Sequence, residues 1–97
     1  MKIVVRPAAA ADIEEAFEWY ERQRPGLGED FLTALDSTLE QVAAQPEAFA
    51  VIQRATRRAL IPHRFPYGLF YRIYGETIVV VACMHAKRHP RRWQRRS

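Results

Sequence analysis

The residues best suited to chemistry are basic and aromatic, and they lie in the second half of the chain: Arg57, Arg58, His63, Arg64, Tyr71, Arg72, His85, Lys87, Arg88, Arg91 and Trp93. Guanidinium forks hold phosphate oxygens two at a time, and aromatic faces accept unpaired bases. Such a set could cleave RNA without a metal. One group would take the 2′-hydroxyl proton, another would protonate the leaving oxygen, and arginines would hold the charge that develops between them. Histidine suits the proton transfers because its unperturbed pKa lies near neutrality. The same residues also have plainer readings. His85, at the end of an apolar strand, reads equally as a hydrogen-bonded structural residue, and Tyr67 and Tyr71 as core or core-edge. The chain has no glycine-rich phosphate loop and no Cys/His spacing suited to zinc, so neither a cofactor nor a metal is expected.

These groups must be positioned by a small α+β domain. Residues 2–6 read as a strand with Ile3 and Val5 on one face. Pro7 suits a helix entry, and Ala8 to Arg24 follows a helical pattern with Ile13, Ala16, Phe17, Tyr20 and Arg24 in one stripe. Asp12, Glu14 and Glu15 fall in its early turns, where carboxylates suit the helix dipole. Pro25-Gly26 breaks the chain. A second helix runs from Leu27 to Gln45, with Phe31, Leu35, Leu39 and Val42 as its stripe and Pro46 beyond its end. Two such helices pack as a hairpin and need a sheet to cover.

The rest of the chain supplies that sheet. Strands are expected at Arg57–Ile61, Phe65–Tyr74 and Thr77–His85, the last two joined by a turn at Gly75-Glu76. The final strand is apolar on both faces and suits a central position. The expected architecture is an N-terminal strand, an α-helical hairpin, and a three-strand antiparallel meander forming one small twisted sheet. A short basic C-terminal tail or helix follows.

Length and composition bound the function. With 97 residues, the chain is expected to be one domain, 1–97. The longest apolar run, Ile78–Met84, is far short of the about 20 residues a membrane helix needs. No signal-peptide pattern follows Lys2, so a cytoplasmic location is expected. Cys83 is the only cysteine and reads as a buried core thiol. Residues 1–50 hold four Lys/Arg against ten Asp/Glu, a formal −6, and residues 51–97 hold eleven against one, a formal +10. Such polarity points a basic face at an anionic or acidic partner. The carboxylates of the first half read as solvated helix faces. Trp19 lies off the stripe of the first helix and reads as core-edge or as an exposed anchor for a partner.

Several of these residues fall in a familiar order: Phe65-Pro66-Tyr67, then Tyr71, the apolar strand ending in His85, then Arg88, Pro90, Trp93 and Arg96. With the first strand, the Asp12-Ile13 helix and a second helix closing at Pro46, this resembles the RelE/ParE toxin superfamily, and its ParE-like branch in particular. The resemblance implies a type II toxin–antitoxin toxin, an α-helical hairpin on a small, mostly antiparallel sheet, and a cognate antitoxin. That antitoxin would be ParD-like, with an acidic C-terminal tail, and would form a toxin–antitoxin hetero-oligomer. RelE-like members cleave messenger RNA on the ribosome, and ParE-like members poison DNA gyrase.

The chain lacks a lysine between Arg54 and Arg64, and no tyrosine follows Arg88. Both departures count against RNA cleavage, and the Pro90 and Trp93 ending favours the ParE-like branch, which implies gyrase inhibition and plasmid stabilisation. If the chain were a nuclease, Arg58, Arg72, His85 and Arg88 would carry the reaction. The expected target-binding residues are Arg64, His85, Lys87, Arg88, Arg91, Trp93 and Arg96. The expected antitoxin-binding residues are Trp19, Tyr20, Phe31, Leu35, Arg57 and Arg72. A third reading is a non-toxic basic nucleic-acid-binding module, whose binding would fall steeply with salt.

Overall fold

The apolar run at Ile78–Met84 forms the inside of a mixed sheet. The computed structural model describes residues 1–62 and 64–87. The elements are β1 (Lys2–Val5), α1 (Pro7–Gln23), α2 (Leu27–Ala44), β2 (Ala50–Gln53), β3 (Thr56–Leu60), β4 (Tyr67–Tyr74) and β5 (Thr77–His85). The strands form one sheet in the order β1-β5-β4-β3-β2. Its meander is antiparallel throughout, and β1 adds to the far side of β5 in parallel, with Ile3 opposite Ile78 and Val5 opposite Val80. The doubly apolar strand is therefore flanked on both sides, as its composition requires.

The sheet has one strand more than the sequence reading supplied. β2 is only AVIQ, and its link to β3 turns at Arg54, whose φ of 49° lies in the left-handed region. The usual glycine or asparagine signal of a hairpin is absent there. β4 begins at Tyr67, two residues later than expected, because Phe65 and Pro66 belong to the approach to the strand. The expected C-terminal tail or helix lies outside the described residues.

Both helices lie on one face of the sheet. α1 contributes Ala9, Ala16 and Tyr20 to the core, and α2 contributes Phe31, Leu35 and Val42. They meet Ala59, Leu69, Tyr71, Ile78, Val80 and Cys83 from the strands. Truncating Phe31, which is fully buried, to alanine would cost about 3–5 kcal/mol. The hairpin link is held by Glu21, whose Oε1 accepts the backbone N–H groups of Gly26 and Gly28 at 3.0 and 2.9 Å. Gly26 adopts φ 89°, which glycine allows without strain. The first turn of α1 carries no acid; the Asp12 carboxylate instead accepts the backbone N–H of Cys83 at 3.0 Å.

The pairing of β4 with β5 contains one irregularity that matters for the site. Tyr71 lies opposite Val80, but Phe70 lies opposite Ala82, so Val81 is an extra residue in β5. Such a bulge turns every following side chain to the other face. Ile78 and Val80 face the helices, and after the bulge so does Cys83, whereas Ala82 and Met84 join Phe70 and Val79 on the opposite face.

Candidate functional site

Beyond the bulge, β5 runs out at His85, opposite Tyr67 at the start of β4. Tyr67 packs against the helix-side core, so His85 lies on that side too. The two rings meet at 5.6 Å. Trp19 and Tyr20 approach from α1, and together with Arg64, Pro66 and Lys87 they line an open groove of about 580 Å³.

The floor of the groove is aromatic and fixed. Tyr20 is 7 % exposed and packs against Phe31, Phe65 and Tyr67 at ring separations of 5.3, 5.0 and 6.0 Å. Burial is the main cause that pushes its hydroxyl pKa above the ordinary value, with smaller contributions from Tyr67 and Cys83. Trp19 stands edge-on to Tyr20 at 5.1 Å and 87° and is 48 % exposed. The polar groups gather at the rim. His85 Nδ1 accepts the backbone N–H of Lys87 at 3.1 Å. Arg64 donates to Asp30 Oδ2 at 2.8 Å and lies over the Phe65 ring.

The sequence-derived set is divided by the sheet. Arg58 lies opposite Phe70, and Arg72 is two residues beyond Phe70 on the same strand, so both project on the face away from the helices. His85 is on the other face. Three members of the nuclease set, Arg58, Arg72 and His85, are therefore not brought together. The fourth, Arg88, lies outside the described residues, as do His63, Arg91, Trp93 and Arg96. Of the expected target-binding residues, Arg64, His85 and Lys87 do converge on the groove.

The residues expected to meet an antitoxin also separate. Phe31 and Leu35 are 0 and 3 % exposed and face the sheet, so they support a surface and do not form one. Tyr20 forms the groove floor, and Trp19 is the exposed member of the group. Arg57 Nη1 donates to the backbone carbonyls of Glu47 and Phe49 at 3.1 and 2.7 Å, holding the link between α2 and β2. The Tyr71 hydroxyl donates to the Pro46 carbonyl in the same link at 2.6 Å. Its pKa is raised by burial, an effect that Arg57 partly offsets. Arg72 lies over the Tyr74 ring at 5.7 Å.

Asp30 enters the site without having been singled out, and Tyr67, read in sequence as core or core-edge, lines the groove. Counting back from the turn at Gly75-Glu76 pairs Tyr67 with Met84, and only the extra Val81 brings His85 opposite it. Asp30 gave no signal in sequence because its partner Arg64 is 34 residues away. Among the described residues no His, Cys, Asp and Glu side chains cluster as metal ligands would, and no helix is long and apolar enough to cross a membrane.

Comparison with known proteins agrees with this architecture. The family model described as "ParE toxin of type II toxin-antitoxin system, parDE" matches residues 3–90. A solved structure titled "Chromosomal ParDE TA system from P. aeruginosa" superposes with a TM-score of 0.65 at 20 % identity, covering 88 % of this chain and 95 % of that one. At that identity the likeness is one of fold. No curated protein matches the chain in a sequence comparison.

Proposed function

The chain belongs to the ParE toxin family of type II toxin–antitoxin systems, and on that premise we propose that it acts by binding DNA gyrase and not by cutting RNA. The observation that supports this reading is the division of Arg58 and Arg72 from His85 by the sheet. Acid–base cleavage needs its proton-transfer groups and its charge-stabilising cations within hydrogen-bond reach of one phosphate. The groove, with Arg64, His85 and Lys87 at its rim, is the target-contacting surface.

Neutralisation follows from the same surface. An acidic antitoxin tail steered to the basic half and seated over Trp19 would cover the groove and exclude the target. In a supercoiling assay with purified gyrase, micromolar free toxin should inhibit, and added antitoxin should restore activity. Unaltered supercoiling, with new cuts in translated messages instead, would overturn this reading.

A further inference from the structure

We infer that the groove is a binding site for an unpaired nucleotide of a single-stranded nucleic acid, its base on the Trp19 indole and its phosphate on Arg64 and Lys87. This rests on the groove being the working surface and says what that surface holds. The volume of about 580 Å³ lies within the about 300–1,000 Å³ range of small-ligand sites.

Trp19 is the first reason. Its neighbour Tyr20 fills the core and fixes the indole edge-on, yet about half of the indole stays in solvent. Packing of the domain does not need a ring at that position. A held, exposed indole is a stacking platform, and every base offers a face to stack on it.

The second reason is the polarity of the rim. Arg64 and Lys87 can only donate hydrogen bonds. His85 accepts the Lys87 N–H at Nδ1, so the proton of the neutral ring sits on Nε2 and is one more donor. The ligand must therefore bring acceptors and negative charge, and the platform asks for a π face in the same molecule. A nucleotide has both. An acidic peptide brings the charge without the π face, and a duplex hides its base faces.

Asp30 completes the site. It is bound by Arg64 at 2.8 Å and lies 3.7 Å from Arg24, and all three side chains are about half exposed. Exposed pairs of this kind are held only weakly against water and salt, so a phosphate can take the place of the carboxylate at little cost.

The full-length Trp93→Phe chain leaves Trp19 as its only tryptophan. Titration with a short single-stranded oligothymidylate should quench that emission. By anisotropy of a labelled strand, Trp19→Ala should weaken binding at least about fivefold, and Trp19→Phe should keep most of it. Arg64→Gln and Lys87→Gln should each lower the slope of log affinity against log salt by about 0.7. Circular dichroism establishes that each variant is folded. Equal affinity for Trp19→Ala, equal quenching by the duplex, or quenching by polyglutamate in place of the strand would each overturn the inference. Strand binding through Trp19 with gyrase unaffected would keep it and remove the gyrase reading. Full inhibition of gyrase by Trp19→Ala, with its strand affinity also unchanged, would do the opposite.

Discussion

The Asp12 carboxylate accepts the backbone N–H of Cys83 at 3.0 Å, joining residues 71 apart in the chain. β1 covers β5 only as far as Val80. There the chain leaves the sheet to start α1, and the next stretch of β5 needs another acceptor on that side. Asp12, one turn further along the helix, provides it. A charged side chain thus does the work of a missing strand.

Asp12→Ala should therefore cost about 1.5–3 kcal/mol, the usual worth of a hydrogen bond to a charged group. Asp12→Asn keeps an acceptor and should lose less. Urea unfolding would show the midpoint falling with an unchanged slope.

Cys83 is 2 % exposed, and its thiol is pushed up from an ordinary 9.0 to about 12, first by burial and then by the Asp12 carboxylate. The native chain should leave thiol reagents unreacted at pH 8 and react once unfolded. The unfolded thiol ionises above its ordinary value while the folded one keeps its proton. Stability is thus fully present below about pH 9 and falls, by at most about 1.4 kcal/mol per pH unit from this group, as pH rises towards 12. Cys83→Ala should flatten that alkaline loss in urea titrations.

The helices of the hairpin touch at Gly28. A Cβ there would lie 2.8 Å from both Cδ1 and the backbone oxygen of Phe17. Alanine normally favours a helix over glycine by about 1 kcal/mol. Here Gly28→Ala should instead destabilise by about 1–3 kcal/mol, because a backbone oxygen cannot move aside cheaply. A lowered thermal midpoint would be the sign.

Arg57 and Tyr71 hold the same α2–β2 link by separate hydrogen bonds. Tyr71→Phe should cost about 0.5–1.5 kcal/mol. With Arg57→Ala the two losses should fail to add by about 0.5 kcal/mol or more in a double-mutant cycle, since either change frees the segment the other restrains.

Much of the fold could be read from periodicity. The stripes of α1 and α2, the break at Pro25-Gly26 and the central place of β5 all follow from where apolar residues recur. β2 escaped because four residues turning at a left-handed arginine give neither alternation nor a turn signal. The parallel seat of β1 depends on a crossover through both helices, which no local pattern records. At the site, Arg64, His85 and Lys87 were legible as charges near the end of a strand. Their separation from Arg58 and Arg72 was not, because no feature of Val80-Val81-Ala82 marks which residue is extra. The burial of Phe31 and Leu35, by contrast, was already implied by their stripe.

The extra residue gives β5 a change of parity. Counted strictly from Ile78, odd and even positions would place His85 with Val79, beside Arg72 and on the face of Arg58. A chain shorter by Val81 alone would pair without a bulge: Val80 and Ala82 would follow each other opposite Tyr71 and Phe70, and His85 would stay opposite Tyr67 in the groove. The thiol of Cys83 would likewise keep the cover of the helices, opposite Leu69. What decides between a stacking groove and a histidine set among guanidinium groups is thus whether Val81 bulges out of the ladder or is paired within it.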